Sequence, residues 1–378
     1  MRIVLAPQEF KGSLTAAEAA HSMRDGVLRS VPDAEIDSIP LADGGPGTVE
    51  AVVTAAGGRY SFARVEGPLG APVDARWGRI EDGRTAIIEM AAASGLLLLP
   101  TEGLDPRRAS TAGTGELILA ALDAGVERLL IGVGGSATND GGAGMAVALG
   151  ARLLDDAGRA LPPGGGALGG LAAIDVAGLD PRLASTEVRV LADVSNPLTG
   201  PDGASAVYGP QKGADAVAIA ELDRALAHFA DIVARDVGID VLTTPGGGAA
   251  GGLGAGLIAF AGARIEPGIE TIATAVRLDA RLAGCDVVLT GEGSLDRQSA
   301  FGKTVAGVAR RAAAAGVPCL AIGGRVRDVE NVRAIPGLTD VEAAAVESVP
   351  DTEAMERAGA LLAEATARLV QRWQAATI

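Results

Sequence analysis

The chain carries its strand signals at its two ends. Short apolar runs at residues 3–6 and 36–40, then at 287–290, 319–322 and 341–345, each lead into a loop. Helical patterns at 16–28, 48–56, 304–315 and 353–373 separate them. Short apolar runs alternating with helices build a parallel sheet covered on both faces. Two strands from one end and three from the other enter one sheet most simply if the residues between them form a body of their own. The expectation is an α/β fold with a doubly wound domain made of residues 1–61 and 284–378, interrupted by a second domain at 62–283.

The middle of the chain has a different texture. Residues 62–90 alternate in polarity and carry turn signals at 67–70 and 81–83, which indicates antiparallel strands. Further strands are expected at 128–133 and 188–192. Helices are expected at 114–124, 142–149, 214–237, 252–263 and 268–283, and a flexible loop at 164–170. The insert is therefore α/β with a mixed sheet. Residues 245–263 lack charge, but their glycine density fits a buried helix better than a membrane span. With 378 residues there is enough chain for two cores, and at 2% aromatic content they must be built from Ala, Val, Leu and Ile.

A formal charge of −15 argues against nucleic acid or an anionic membrane as partner, since both need a basic face. Cys285 and Cys319 read as buried thiols in a reducing compartment. With His21 and His228 the only histidines, a zinc site is not expected, and proton transfer falls to carboxylates or lysine. The sequence opens on a strand at residues 2–6 instead of a leader, so a cytoplasmic location is expected.

Of 32 basic residues only Lys11, Lys212 and Lys303 are lysine, and all three adjoin glycine. A lysine presents a compact point charge suited to phosphate, where arginine presents a planar fork. Polar loops recur where strands end, the place at which open α/β sheets bind ligands. They are Pro7–Ser13, with Ser13 or Thr15 placed to cap the next helix; Leu41–Thr48, with Asp43, Gly44 and Gly45; and Thr290–Asp296, with Gly291, Glu292 and Gly293. Gly323–Arg325 is another. The middle of the chain adds Gly132–Gly142, with Gly134, Gly135, Ser136, Thr138, Asn139 and Asp140, and a loop with Asp193 and Asn196. Glycine lets backbone N–H groups approach phosphate oxygens, and a nearby carboxylate can hold Mg²⁺ or accept a hydroxyl proton. These loops point to a phosphate-handling site.

Two motifs fail on inspection. Gly302-Lys303-Thr304 ends like a Walker A loop, but Arg297 stands where its first glycine belongs. Gly132–Ala137 fits the dinucleotide pattern G-x-G-x-x-G/A, yet Thr138-Asn139-Asp140-Gly141 delays the helix that should open inside it.

Taken together, several segments resemble the glycerate kinase family of the bacterial type. They are Phe10-Lys11-Gly12-Ser13-Leu14, Ala42-Asp43-Gly44-Gly45, Glu89-Met90-Ala91, Gly134–Gly142, Asp193-Val194 with Asn196-Pro197-Leu198, Gly209–Ala214, Gly248–Gly256 and Thr290–Gly293 through Lys303. The similarity covers about residues 1–325 in the family's order. It departs at Gln8-Glu9, where the family's first loop commonly carries Asp before its variable position, and at Pro46, where an acidic residue is usual. The resemblance implies a Rossmann/flavodoxin-like domain from both chain ends, an inserted α/β domain and a cleft between them. It also implies ATP and D-glycerate as substrates, transfer usually to the 2-hydroxyl, and Mg²⁺ as cofactor.

On that basis Lys11, Asp43, Asp193 and Asp296 are the expected catalytic residues, with Asp193, Glu292 and Asp296 toward the metal. Ser13, Gly44, Gly45, Gly134, Gly135, Ser136, Thr138, Asn139, Asp140, Asn196, Lys212, Gly291, Gly293, Lys303 and Arg325 are expected toward substrate and phosphate, Lys212 with a loop-stabilising role as its alternative. The two domains are expected to close on substrate about hinges near 58–65 and 283–286. The protein is expected as a monomer or homodimer. A nucleotide-dependent oxidoreductase, resting on Gly132–Ala137, is one alternative. A regulator that binds nucleotide or sugar acid without turnover is the other.

Overall fold

The computed structural model describes residues 1–296, 304–346 and 349–377. β1 (Arg2–Pro7) and β2 (Glu35–Ser38) come first. β3 (Arg59–Glu66), β4 (Pro72–Ile80), β5 (Thr85–Glu89), β6 (Arg128–Gly132), β7 (Arg152–Leu154), β8 (Ala173–Asp175), β9 (Glu187–Leu191) and β10 (Arg264–Glu266) follow. β11 (Val287–Leu295), β12 (Cys319–Val326) and β13 (Leu338–Ala343) come last. The chain divides into two compact units, one of Met1–Asp43, Glu50–Gly57 and Ile269–Ile378, the other of Gly44–Val49 and Gly58–Gly268.

In the first unit five strands run parallel in the order β13-β12-β11-β1-β2. Strand residues alternate between faces. Ile3, Leu5, Val287, Leu289, Leu320 and Ile322 form one core with Ala19, Met23, Leu362 and Leu369 from the helices Ala16–Ser30 and Ala358–Thr377. Val4, Val288 and Ala321 are buried but lie outside that core, and the helix Thr304–Ala314 packs against the same strands. The helix Ala16–Ser30 starts on a capping box: Thr15 accepts from the Glu18 backbone, and Glu18 returns a bond to the Thr15 backbone. It meets Ala358–Thr377 so closely that a Cβ on Gly26 would lie 2.3 Å from the Ala363 carbonyl oxygen.

The order places β1 beside both β2 and β11, so connections leave the β1/β11 pair in opposite directions. That is a topological switch point, where the carboxyl ends of the strands leave a crevice.

The second unit holds a six-stranded mixed sheet, β10-β9-β6-β5-β4-β3, in which β3, β4 and β5 pair antiparallel and β5, β6, β9 and β10 parallel. β7 and β8 form a separate hairpin. The helix Ala216–Asp236 begins on Asp215, whose side chain accepts from the Ala218 N–H. It buries Leu222, Leu226, Phe229 and Val233, a stripe at helical spacing. The uncharged segment is the buried helix Ala249–Ala261, interrupted by left-handed backbone at Ala250, Gly251 and Gly252. Among the described residues no helix is long and apolar enough to cross a membrane.

Three local expectations change. β11 and β12 run on through Leu295 and Val326, paired as far as Leu295↔Val326, so the segment expected as a loop at 290–296 is mostly extended strand. The pattern at 268–283 breaks into Gly268–Ala275 and Leu278–Leu282, with Arg277 left-handed between them. Both helices lie almost wholly in the first unit, tied there by Arg311 to Glu270 and Asp279, so the chain crosses at 268/269. The flexible loop at 164–170 is a 3₁₀ turn, Gly165–Gly170.

Candidate active site

β1 delivers the first loop directly to the switch point. The Gln8 N–H donates to the Gly291 carbonyl at 2.8 Å, and the Leu41 N–H to the Pro7 carbonyl at 2.8 Å. The loop then turns tightly: Ser13 and Leu14 N–H groups both donate to the Phe10 carbonyl, and so does the Ser13 hydroxyl, at 2.8 Å. Ser13 therefore closes the turn, and Thr15 takes the capping role. Lys11 is exposed at the turn tip. Gly293 lies against it, since a Cβ there would stand 3.1 Å from the Lys11 backbone nitrogen.

Asp43 ends the segment after β2 and accepts from Gln8 Nε2 at 2.8 Å. Burial pushes the Glu9 carboxyl up; Asp43 adds to the rise and Lys11 opposes it. Gln8, Glu9, Lys11 and Asp43 thus form one cluster in the first unit. Sequence reasoning used Lys11 and Asp43 and assigned nothing to Gln8 or Glu9. The only signal for Gln8 was a polar residue directly after a buried strand.

The remaining first-unit candidates are placed differently. Glu292 lies within β11, and Asp296 directly follows its last residue, Leu295. Among the described residues no group of three or more His, Cys, Asp or Glu could hold a metal. Arg325 clamps its own neighbourhood: its guanidinium donates to the Val346 and Val349 carbonyls and to Asp351 at 2.9 Å. Three acceptors of the first unit thus orient the fork. Lys303 lies outside the described residues.

In the second unit, Gly44 and Gly45 sit on the sheet's carboxyl edge. The Gly134 N–H donates to the Gly44 carbonyl at 3.2 Å, and a Cβ on Gly44, whose φ is +100°, would lie 2.4 Å from the Leu191 carbonyl oxygen. The Val49 N–H donates to Glu89 at 2.7 Å. Of the long glycine loop, Gly134 and Gly135 reach the surface, while Ser136, Thr138, Asn139 and Asp140 are buried. Asp140 accepts from the Thr111 N–H and hydroxyl and from the Gly142 and Gly144 N–H groups. Burial pushes its carboxyl up, and these four donors oppose the rise. All four are donors, so the set fits the ionised form.

Lys212, 1% exposed, donates to the Thr138 carbonyl at 2.6 Å. Burial pulls its ammonium down to about 7, and Asp140 acts against that. Lys212 and Asp140 thus brace the loop from inside, and the loop-stabilising alternative for Lys212 is the one its hydrogen bond fits. Asn139 donates to Ser205 at 2.9 Å. Asn196 is likewise engaged, donating to the Asp202 carbonyl and accepting from the Tyr208 hydroxyl at 2.7 Å. Asp193 is exposed and accepts from the Gly268 N–H at 2.9 Å. The next helix after β6 begins only at Ala143, so no helix N-terminus opens within Gly132–Ala137 and the dinucleotide motif lacks its anion site.

An open parallel sheet with a lysine, carboxylates and glycine backbone at its switch point is an arrangement of α/β enzymes that handle charged small molecules. The model of the glycerate kinase family matches residues 3–374. The chain is 50% identical over 328 residues to glycerate 2-kinase of Escherichia coli (strain K12), covering 87% of this chain and 86% of that one. It is 49% identical over 368 residues to glycerate kinase of Bacillus subtilis (strain 168), covering 97% and 96%. A crystal structure of a candidate glycerate kinase 2 from Salmonella typhimurium LT2 matches with a TM-score of 0.89 and 47% identity, over 100% of this chain and 99% of that one. The chain belongs to the glycerate kinase family, and with it to the kinases.

Proposed function

We propose that the protein transfers the γ-phosphoryl group of ATP to the 2-hydroxyl of D-glycerate, giving 2-phosphoglycerate and ADP. The observation that carries this is the cluster of Gln8, Glu9, Lys11 and Asp43 at the β1/β11 switch point, with Gly293 backing the Lys11 backbone. Phosphoryl transfer asks mainly for positioning and for charge where it develops. Lys11 supplies a cation to phosphate or to the substrate carboxylate. Asp43 orients the acceptor hydroxyl and takes its proton. In the first unit Gly291 and Gly293 supply backbone for phosphate oxygens; the second unit, taken by itself, offers Gly134 and Gly135 for the same chemistry. Half identity to a protein named glycerate 2-kinase supports the 2-position.

Mg²⁺ accompanies ATP in such reactions and needs only one or two protein carboxylates beside the phosphates. Asp193, Glu292 and Asp296 are each offered to it singly. Cys285 and Cys319 are buried free thiols, in keeping with a reducing, cytoplasmic setting.

Phosphorus NMR of the product from ATP and D-glycerate tests the assignment. A single 2-phosphoglycerate resonance is expected. Growth of 3-phosphoglycerate alone would overturn the position, and turnover of ATP without either product would overturn the acceptor.

A further inference from the structure

Gln8 is the most deeply buried polar side chain in the Lys11–Asp43 cluster, 8% exposed, and its backbone is pinned through the Gly291 carbonyl. Its amide nitrogen donates to Asp43 Oδ2 at 2.8 Å, while its carbonyl Oε1 is buried and accepts nothing among the described residues. An amide N–H donates and a carboxylate only accepts, so the orientation of this amide is dictated by Asp43 alone. A buried acceptor left unmet is rare, and native structures tolerate it where the group is held for another purpose. Around it lie two carboxylates, Glu9 and Asp43, and one lysine, Lys11. A third carboxylate in place of the amide would repel Asp43 where Gln8 instead holds it.

We propose that Gln8 is the positioning residue for Asp43: its amide fixes Oδ2 as an acceptor and so sets the plane in which the carboxylate meets the substrate hydroxyl. The proposal rests on the assignment of Asp43 given under the proposed function. Gln8 itself touches no reacting atom in this scheme.

The test compares Gln8→Met and Gln8→Glu with the wild type and with Asp43→Asn, using ATP and D-glycerate. Gln8→Met removes the donor at similar volume. It should lower kcat about tenfold or more, the scale of a lost charge-assisted bond, with both KM values within about twofold. Gln8→Glu can replace the donor only while it carries a proton, which it would share with Asp43 as a coupled pair. The ratio of its kcat to that of the wild type should therefore rise at least about tenfold as pH falls from about 8 to about 6. Glu9 and Lys11 are present in both proteins, so their contributions largely cancel in that ratio. A role in loop stability alone would give a ratio flat in pH. With Asp43→Asn inactive, a flat ratio for Gln8→Glu, or full kcat in Gln8→Met, overturns this inference and leaves the function standing. Full activity in Asp43→Asn overturns the assignment of Asp43, and this inference with it.

Discussion

Burial strips an ammonium group of water, and the chain accommodates this at Lys212 by setting the Thr138 carbonyl and the Asp140 carboxylate nearby. Removing one member leaves the other charge buried and uncompensated. Lys212→Met should therefore destabilise the fold by about 3–5 kcal/mol, and adding Asp140→Asn should restore part of the loss, read by urea unfolding. The pH dependence has a definite sign. The folded value of about 7 lies below the ordinary 10.5, so between them the unfolded chain holds more protons and Lys212 makes stability rise with pH. The full burial cost is present below about 7. Stability measured at rising pH from about 7 to 9 should therefore move in favour of the wild type relative to Lys212→Met. Lys11 is the contrasting case, exposed at a turn tip. Lys11→Met should leave the melting temperature unchanged and lower kcat/KM by about 10², as for a lost positioned charge. Wild-type kinetics would remove Lys11 from the site.

At the scale of elements, close contacts and caps fix the first unit. A side chain at Gly26 would strike the Ala363 carbonyl, so Gly26→Val should force the helices Ala16–Ser30 and Ala358–Thr377 apart and cost about 1–3 kcal/mol. Thr15→Ala removes the cap and should cost about 1 kcal/mol. Chemical denaturation of the two variants checks both. Most elements were legible in the sequence because their burial is periodic: the helices at Ala16, Thr48 and Ala216 start within two residues of where their patterns begin. β7, β8 and β10, three residues each, were too short to carry a pattern. The extension of β11 into a glycine-rich stretch was not visible, because pairing with β12 overrides the turn preference of Gly291 and Gly293. The site was legible in part for the same reason. Residue type locates Lys11 and Asp43, but only packing tells that Lys212 and Asp140 point inward while Gln8 turns to Asp43.

For the molecule as a whole, a formal charge of −15 opposes the approach of anions such as ATP and glycerate. Salt shortens the range of that field from about 30 Å at 0.01 M to about 8 Å at 0.15 M. KM for both substrates should therefore fall over this range of ionic strength at constant free Mg²⁺. A rise instead would mean that local positive charge, with Lys11 foremost, dominates the encounter.

The sheet of the first unit also sets a timetable. β1 takes β2 on one edge and β11 on the other, yet residue 287 leaves the ribosome long after residue 38. At about 5–20 residues per second the interval is tens of seconds. Through it the apolar strand Ile3–Ala6 has one hydrogen-bonding edge bare, a template for strands of other nascent chains. Translation speed across the insert thus governs how long the first strand waits for its neighbour.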